Sequence, residues 1–312
     1  MIYFDDAVNE NINPKKLYEK SKILINYALM SHEDPHQHNI WCSLALEVLG
    51  KSLLSNIHPS LIVDPKNKDS ILMASKIQRN CNLKTITWTE LFDIIHKIVV
   101  EFDKNSLEFC KNLSTQRNTE LHSGGSPFNK ITPEQEGQYW NIADHLLKNM
   151  GKNLDNWVDV ESIHKKVDLI RGYKKALHLS TKFKIDTARS YFNNLKIEEK
   201  TKLKSLEFVK NRSLFATPFE KFKYDLIWEV ECPSCKSNAF MGGKKTGEII
   251  KKRRKFDPKI DQRTYQFLGE VFSCMVCTLE LNGYDEIKLA KLDNKNEEIF
   301  EFDHIGTVWE KP

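Results

Sequence analysis

Two short cysteine pairs, Cys232-Pro233-Ser234-Cys235 and Cys274-Met275-Val276-Cys277, constrain this chain more than any other feature. A Cys-x-x-Cys turn presents two thiolates to one point, and two such turns supply the tetrahedral set that Zn²⁺ prefers. Thirty-eight residues separate the pairs, a length that suits a strand hairpin between two knuckles. No carboxylate or histidine replaces a cysteine, so the set leaves no open coordination position and the metal is expected to be structural. A pair of disulfides is disfavoured in a chain expected to be cytoplasmic. The other cysteines, Cys42, Cys81 and Cys110, lie among apolar residues and read as buried fillers.

From Leu226 the pattern turns to strands, in Leu226–Val230, Tyr265–Leu268 and Val271–Phe272. Set among these runs, the two knuckles resemble a zinc ribbon. The resemblance implies a small β domain over 226–312 fixed by one structural Zn²⁺ on Cys232, Cys235, Cys274 and Cys277. Lys236 and Thr278 stand where such knuckles often carry glycine, which leaves the ligands untouched. Between the knuckles, Lys244, Lys245, Lys251, Lys252, Arg253, Arg254 and Lys255 face one acid, Glu248, within twelve residues. On an exposed hairpin these would track a phosphate backbone without reading bases; the other reading is a plain solvated loop.

The first half has a helical period. Asn13-Pro14 opens a segment with Leu17, Ile23, Leu24, Tyr27 and Ala28 at helical spacing. The stretch from about His38 to Ser55 is apolar over much of its circumference, as a buried bundle helix is. Thr87-Trp88-Thr89-Glu90 is a capping box, Asn105 or Ser106 is expected to cap the next helix, and Thr132-Pro133 starts another with proline at its first position. The expected architecture is a mainly α bundle over 1–150, a basic helical connector over 151–225, and the small β domain.

Charge follows the same division. Residues 1–150 hold 16 Lys/Arg against 18 Asp/Glu, while 151–312 hold 31 against 25. A basic second half suits a polyanionic partner, though lysine-rich surfaces are also common as solvated faces.

Arg117-Asn118-Thr119-Glu120-Leu121-His122 ends the helix that Ser123-Gly124-Gly125-Ser126-Pro127 terminates. Arginine is a permanent, forked phosphate ligand, and histidine gives and takes protons near neutral pH. The stretch resembles the Arg-Asn-x-x-x-His signature of the HEPN ribonuclease family. The apolar run Trp41–Leu54, carrying Glu47 as its one acid, resembles the second helix of these domains. The likeness covers roughly residues 14–150. It implies a HEPN-like bundle, a metal-independent endoribonuclease acting on RNA, a homodimer through the N-terminal helices, and a toxin or antiviral-defence role with an antitoxin or other regulatory partner.

Five residues on a straight helix rotate by roughly 500°, so Arg117 and His122 point about 140° apart. Asn118 and His122 share a face. One protomer closes a site only if the helix unwinds at Ser123-Gly124, whereas a two-fold dimer puts two motifs in one cleft. There the two His122 rings would transfer protons, the two Arg117 guanidiniums would carry charge, and Asn118 would position His122 or a phosphate oxygen. Glu47 would hold Arg117, or form an ordinary interhelical ion pair. The product would be a 2′,3′-cyclic phosphate. His32, His36 and His38 cluster with Asp34 as a polar loop or a weak metal site.

No run of about 18 apolar residues marks a membrane span, and the acidic Met1–Asp6 lacks a signal layout. A cytoplasmic location without a membrane partner is expected. Two rival readings use the same parts: a non-catalytic dimerisation or sensing module fused to a zinc-ribbon nucleic-acid binder, and a zinc-ribbon regulator that binds DNA.

Overall fold

The computed structural model describes residues 10–77, 82–205, 224–250, 261–293, 295–302 and 308–309. The chain divides into two compact units, 1–174 and 175–312. The division falls within α7, a helix of 35 residues over Val160–Asn194. The stretch read as a connector thus contains this one long helix and a short one, α8, Ile197–Lys204.

The first unit is helical: α1 (Pro14–Met30), α2 (Pro35–Ile57), α3 (Lys68–Ala74), α4 (Trp88–Ile98), α5 (Lys104–His122), α6 (Pro133–Asn149) and the start of α7. Its helix starts are fixed by side-chain caps, each worth about 1 kcal/mol. Asn13 accepts from the Lys15 and Lys16 amides, and Asp34 accepts from those of His36 and Gln37. Capping boxes form at Thr87/Glu90 and Thr132/Gln135. The expected cap of α5 is corrected: Asp103, rather than Asn105 or Ser106, takes that role and accepts from both the amide and the hydroxyl of Ser106. A carboxylate is a strong acceptor for free helix amides, and it starts the helix ahead of the residues read as caps.

Helix α2 runs through the core, with Ala45, Leu46, Leu49 and Leu54 wholly inaccessible. It has the length and mean hydropathy, 1.2, to cross a membrane, yet 56% of that window is buried by the protein's own helices. At Gly50 a Cβ would lie 3.0 Å from Ile95 Cδ1, so α2 and α4 meet closely there. Buried polar tips find partners, as burial requires. Trp88 Nε1 donates to the Cys110 carbonyl at 2.8 Å, Trp157 Nε1 to Ser21 Oγ at 2.9 Å, and Tyr139 Oη to the Cys42 carbonyl at 2.9 Å.

The second unit holds the rest of α7, α8, a further helix α9 (Tyr284–Leu289), and an antiparallel sheet of β1 (Leu226–Glu231), β2 (Asn238–Ile250), β3 (Asp261–Ser273), β4 (Glu280–Asn282), β5 (Lys295–Phe302) and β6 (Val308–Trp309). The order is β1-β2-β3-β5-β6, with β4 also paired to β3. Where the sequence suggested two short runs, β3 is one strand of 13 residues. The break is Gly269, which pairs with Gly243 of β2. A Cβ on Gly243 would sit 2.3 Å from the Leu268 carbonyl oxygen and 2.7 Å from the Trp228 ring, so these two glycines make room for an indole laid across the strands. Gly243→Ala is therefore expected to destabilise this unit by about 1–3 kcal/mol, the cost of overpacking. Chemical denaturation followed by Trp fluorescence would show it, and an unchanged midpoint would count against this packing.

Candidate functional site

Two constellations stand out among the described residues, one in each unit. In the second unit Cys232 and Cys235 flank the turn between β1 and β2, while Cys274 and Cys277 follow β3. All four are buried and their sulfurs lie within 4.8 Å of one another. Cys232 and Cys277 sulfurs are 3.5 Å apart, and those of Cys235 and Cys274 are 3.6 Å apart. A tetrahedron with metal–sulfur bonds of about 2.3 Å has edges of about 3.8 Å, so four thiolates arranged in this way fit one ion.

The two knuckles are built alike. The Cys232 amide donates to the Ser237 carbonyl at 2.9 Å, and the Cys274 amide donates to that of Leu279 at 2.9 Å. Lys236 (φ 60°) and Thr278 (φ 58°) occupy the left-handed conformation that glycine adopts at no cost. This is the physical meaning of the departures noted at these positions. Thr278→Gly is expected to stabilise the knuckle by about 1 kcal/mol, because a β-branched side chain is disfavoured there. An unfolding midpoint equal to or below that of the parent would contradict it. Apolar side chains of α7 and α8, among them Ile185, Phe192 and Leu203, pack on the cysteine cluster. Ser234 Oγ donates to the Ile185 carbonyl at 3.2 Å.

In the first unit the motif helix is regular through His122, and the Ser123 amide donates to the Thr119 carbonyl at 3.0 Å. The helix therefore does not unwind at Ser123-Gly124 in a way that would swing Arg117 and His122 together. His122 and Asn118 are exposed. Arg117 turns inward: Nη1 donates to Glu47 Oε2 at 2.8 Å, and the guanidinium lies 4.9 Å from the centre of the Trp88 ring. Glu47 Oε1 accepts from Lys51 Nζ at 2.8 Å. The structure thus joins Arg117 to Glu47, as one reading of the sequence had it, and leaves His122 and Asn118 together on the exposed side of the helix. Trp88 was missed as a partner, although the capping box places it at the first turn of α4.

Burial works against the charge of Glu47, but Lys51 and Arg117 outweigh it and hold the carboxyl below the usual glutamate range. A depressed folded-state pKa contributes stability above the unfolded value, near 4.5, that is lost as pH falls through the folded value. Glu47→Gln would leave Arg117 without its carboxylate while the side chain stays only 16% exposed. A loss of about 3 kcal/mol at neutral pH is expected, shrinking below pH 4.5 as the wild-type carboxyl itself protonates. Melting curves across that range would test it, and a difference that stays constant to strongly acid pH would refute the assignment.

A fourth residue of the motif, Glu120, faces inward as Arg117 does. Its Oε1 pairs with His36 Nδ1 of α2, its Oε2 accepts from the Phe128 amide at 3.4 Å, and its side chain is 9% exposed. Neither reading of the His32/His36/His38 group foresaw this pairing. The signal for it was present, since Glu120 lies three residues after Arg117 and so shares its face. His38 Nδ1 lies 2.7 Å from the Ala28 carbonyl, which ties that ring to α1. Burial lifts the thiol of Cys42 to about 12 and that of Cys110 well above its ordinary value, as inert fillers require. Cys81 lies outside the described residues.

The basic stretch between the knuckles divides. Lys244 and Lys245 belong to β2 rather than to a loop. Lys244 Nζ is 3.0 Å from Glu270 and only 12% of the side chain is exposed, while Lys245 Nζ lies 3.4 Å from the centre of the Tyr265 ring. Lys251, Lys252, Arg253, Arg254 and Lys255 lie outside the described residues.

The chain matches no family model, and neither curated proteins nor solved structures give a match.

Proposed function

We propose that the chain is a metal-independent endoribonuclease of the HEPN type, working as a homodimer, with a structural zinc on Cys232, Cys235, Cys274 and Cys277. The observation that carries the reading is the division of labour on α5. Arg117 is held by Glu47 and Trp88, while His122 stands exposed at the last turn of the same helix. A two-fold dimer through the first unit would bring two such helix ends to one cleft. One His122 would take the proton of the ribose 2′-hydroxyl as its oxygen forms a bond to phosphorus. The other would protonate the departing 5′-oxygen as the P–O5′ bond breaks. The products would be a 2′,3′-cyclic phosphate and a 5′-hydroxyl, with Arg117 opposing the charge on the phosphorane. The four cysteines would serve the fold alone, in a reducing compartment such as the cytoplasm.

A second reading, a non-catalytic dimerisation or sensing module fused to a nucleic-acid-binding ribbon, is favoured by the same contact. An arginine engaged by Glu47 and Trp88 already has a structural role. One assay separates the two. Purified chain incubated with total RNA and EDTA should yield fragments ending in 2′,3′-cyclic phosphate. Intact RNA would favour the module, and cutting that requires Mg²⁺ would point to other chemistry.

A further inference from the structure

Beyond that cleavage reading, we infer that the second unit binds single-stranded RNA in a groove between α7 and the second cysteine knuckle. Leu179, Phe183, Thr187 and Tyr191 recur every four residues and so share one face of α7. The neighbouring face, with Ile185, Ala188 and Phe192, packs on the cysteine cluster. The helix has satisfied its need for burial on that side, yet Phe183 remains 72% exposed and Tyr191 45% exposed. A groove of about 410 Å³ lies between these rings and Thr278–Glu280.

The chemistry of the groove selects its occupant. Two aromatic rings eight residues apart stand about 12 Å apart along the helix, and a base of any identity stacks on such a ring. Thr187 offers a hydroxyl that donates and accepts, the Thr278 hydroxyl, which donates to the Cys277 carbonyl at 2.7 Å, keeps its acceptor lone pairs, and Glu280 offers an acceptor for base N–H donors such as uracil N3–H. Residues 175–205 carry eight basic side chains against three acidic ones, and Lys182 is exposed beside Phe183. An apolar protein partner would favour an unbroken apolar stripe without this field; here Thr187 interrupts the stripe and Lys182 and Arg189 flank it. Paired bases in a duplex cannot reach exposed rings, so the groove discriminates for single strands.

The test uses the full-length chain and a fluorescein-labelled oligouridine with 2′-O-methyl riboses, which lacks the nucleophile and cannot be cut. Binding is therefore read whether or not the protein is a nuclease. Phe183→Ala and Tyr191→Ala are each expected to weaken binding about tenfold, while Phe183→Trp and Tyr191→Phe keep the wild-type affinity. Neither alanine removes a charge, so the slope of affinity against salt should not move. A photoreactive thiouridine in the probe should crosslink to the α7 peptide that carries both rings. Unchanged affinity in the double alanine variant, equal loss on a duplex probe, or crosslinks confined to other peptides would each overturn the inference. So would a double variant that changes only the sedimentation of the free protein, which would make the stripe a contact with a second copy.

Discussion

His122→Ala is expected to lower RNA cleavage at least about a thousandfold, since a positioned proton-transfer group contributes roughly a hundred- to ten-thousandfold and a homodimer would lose both copies. The same change should leave the melting temperature within about a degree, because truncating an exposed residue away from the core rarely moves stability by more than about 0.5 kcal/mol. Arg117→Ala should behave differently. It removes the guanidinium from Glu47 and Trp88, so it should cost both activity and about 2–3 kcal/mol of stability. Single-turnover kinetics beside melting curves would separate the two. Equal cleavage rates for wild type and His122→Ala would end the nuclease assignment, and an Arg117→Ala variant as stable as the parent would undo the packing argument.

Cys235→Ser is expected to have the largest structural effect. Structural zinc sites carry about 10–16 kcal/mol of binding free energy, far above the stability of an ordinary domain. Around the cysteines the apolar support is small, with Met241, Phe272, Val276, Leu279, Leu281 and Ile287 as its main buried side chains. Loss of one thiolate should therefore unfold the sheet and free the end of α7 that packs on the knuckles, with the helices of the first unit left protected. Hydrogen exchange by peptide would report both halves, and elemental analysis would report the metal. Freshly purified protein without stoichiometric metal, or a serine variant whose sheet stays protected, would remove the metal from this account.

The helices were legible because caps and apolar spacing are local. The Thr87 capping box and the Thr132-Pro133 helix start lie where the sequence placed them. Local signals failed where a partner from another element decided the outcome. The cap of α5 is a different case, since Asp103 is itself a local signal that was passed over for Asn105 or Ser106. Lys244, read among the basic residues of an exposed hairpin, lies in a strand against Glu270. Gly269 seemed to divide two strands because a glycine weakens strand propensity, whereas Gly243 opposite it and Trp228 above supply the packing that keeps β3 continuous. In the candidate site the Arg117–Glu47 contact was foreseeable because Glu47 is the one acid in the apolar run Trp41–Leu54. The Glu120–His36 pair was missed: the spacing from Arg117 puts Glu120 on the inward face of α5, but nothing local to it names His36 as the partner.

The cysteines sit at the open end of the β2–β3 hairpin, three residues before β2 begins and one after β3 ends. This placement bears on how quickly the sheet can form. Pairing at this end joins residues as distant as Phe240 and Ser273, so more loop-closure entropy is lost there before a ladder bond forms than where Ile250 meets Arg263. An ion gripping both knuckles would hold the strand ends together at the outset, so pairing could then proceed residue by residue toward Ile250 and Arg263. The metal would act as a nucleation clamp, and refolding of the second unit should be markedly slower when a chelator is present from the first moment than when it is added after folding.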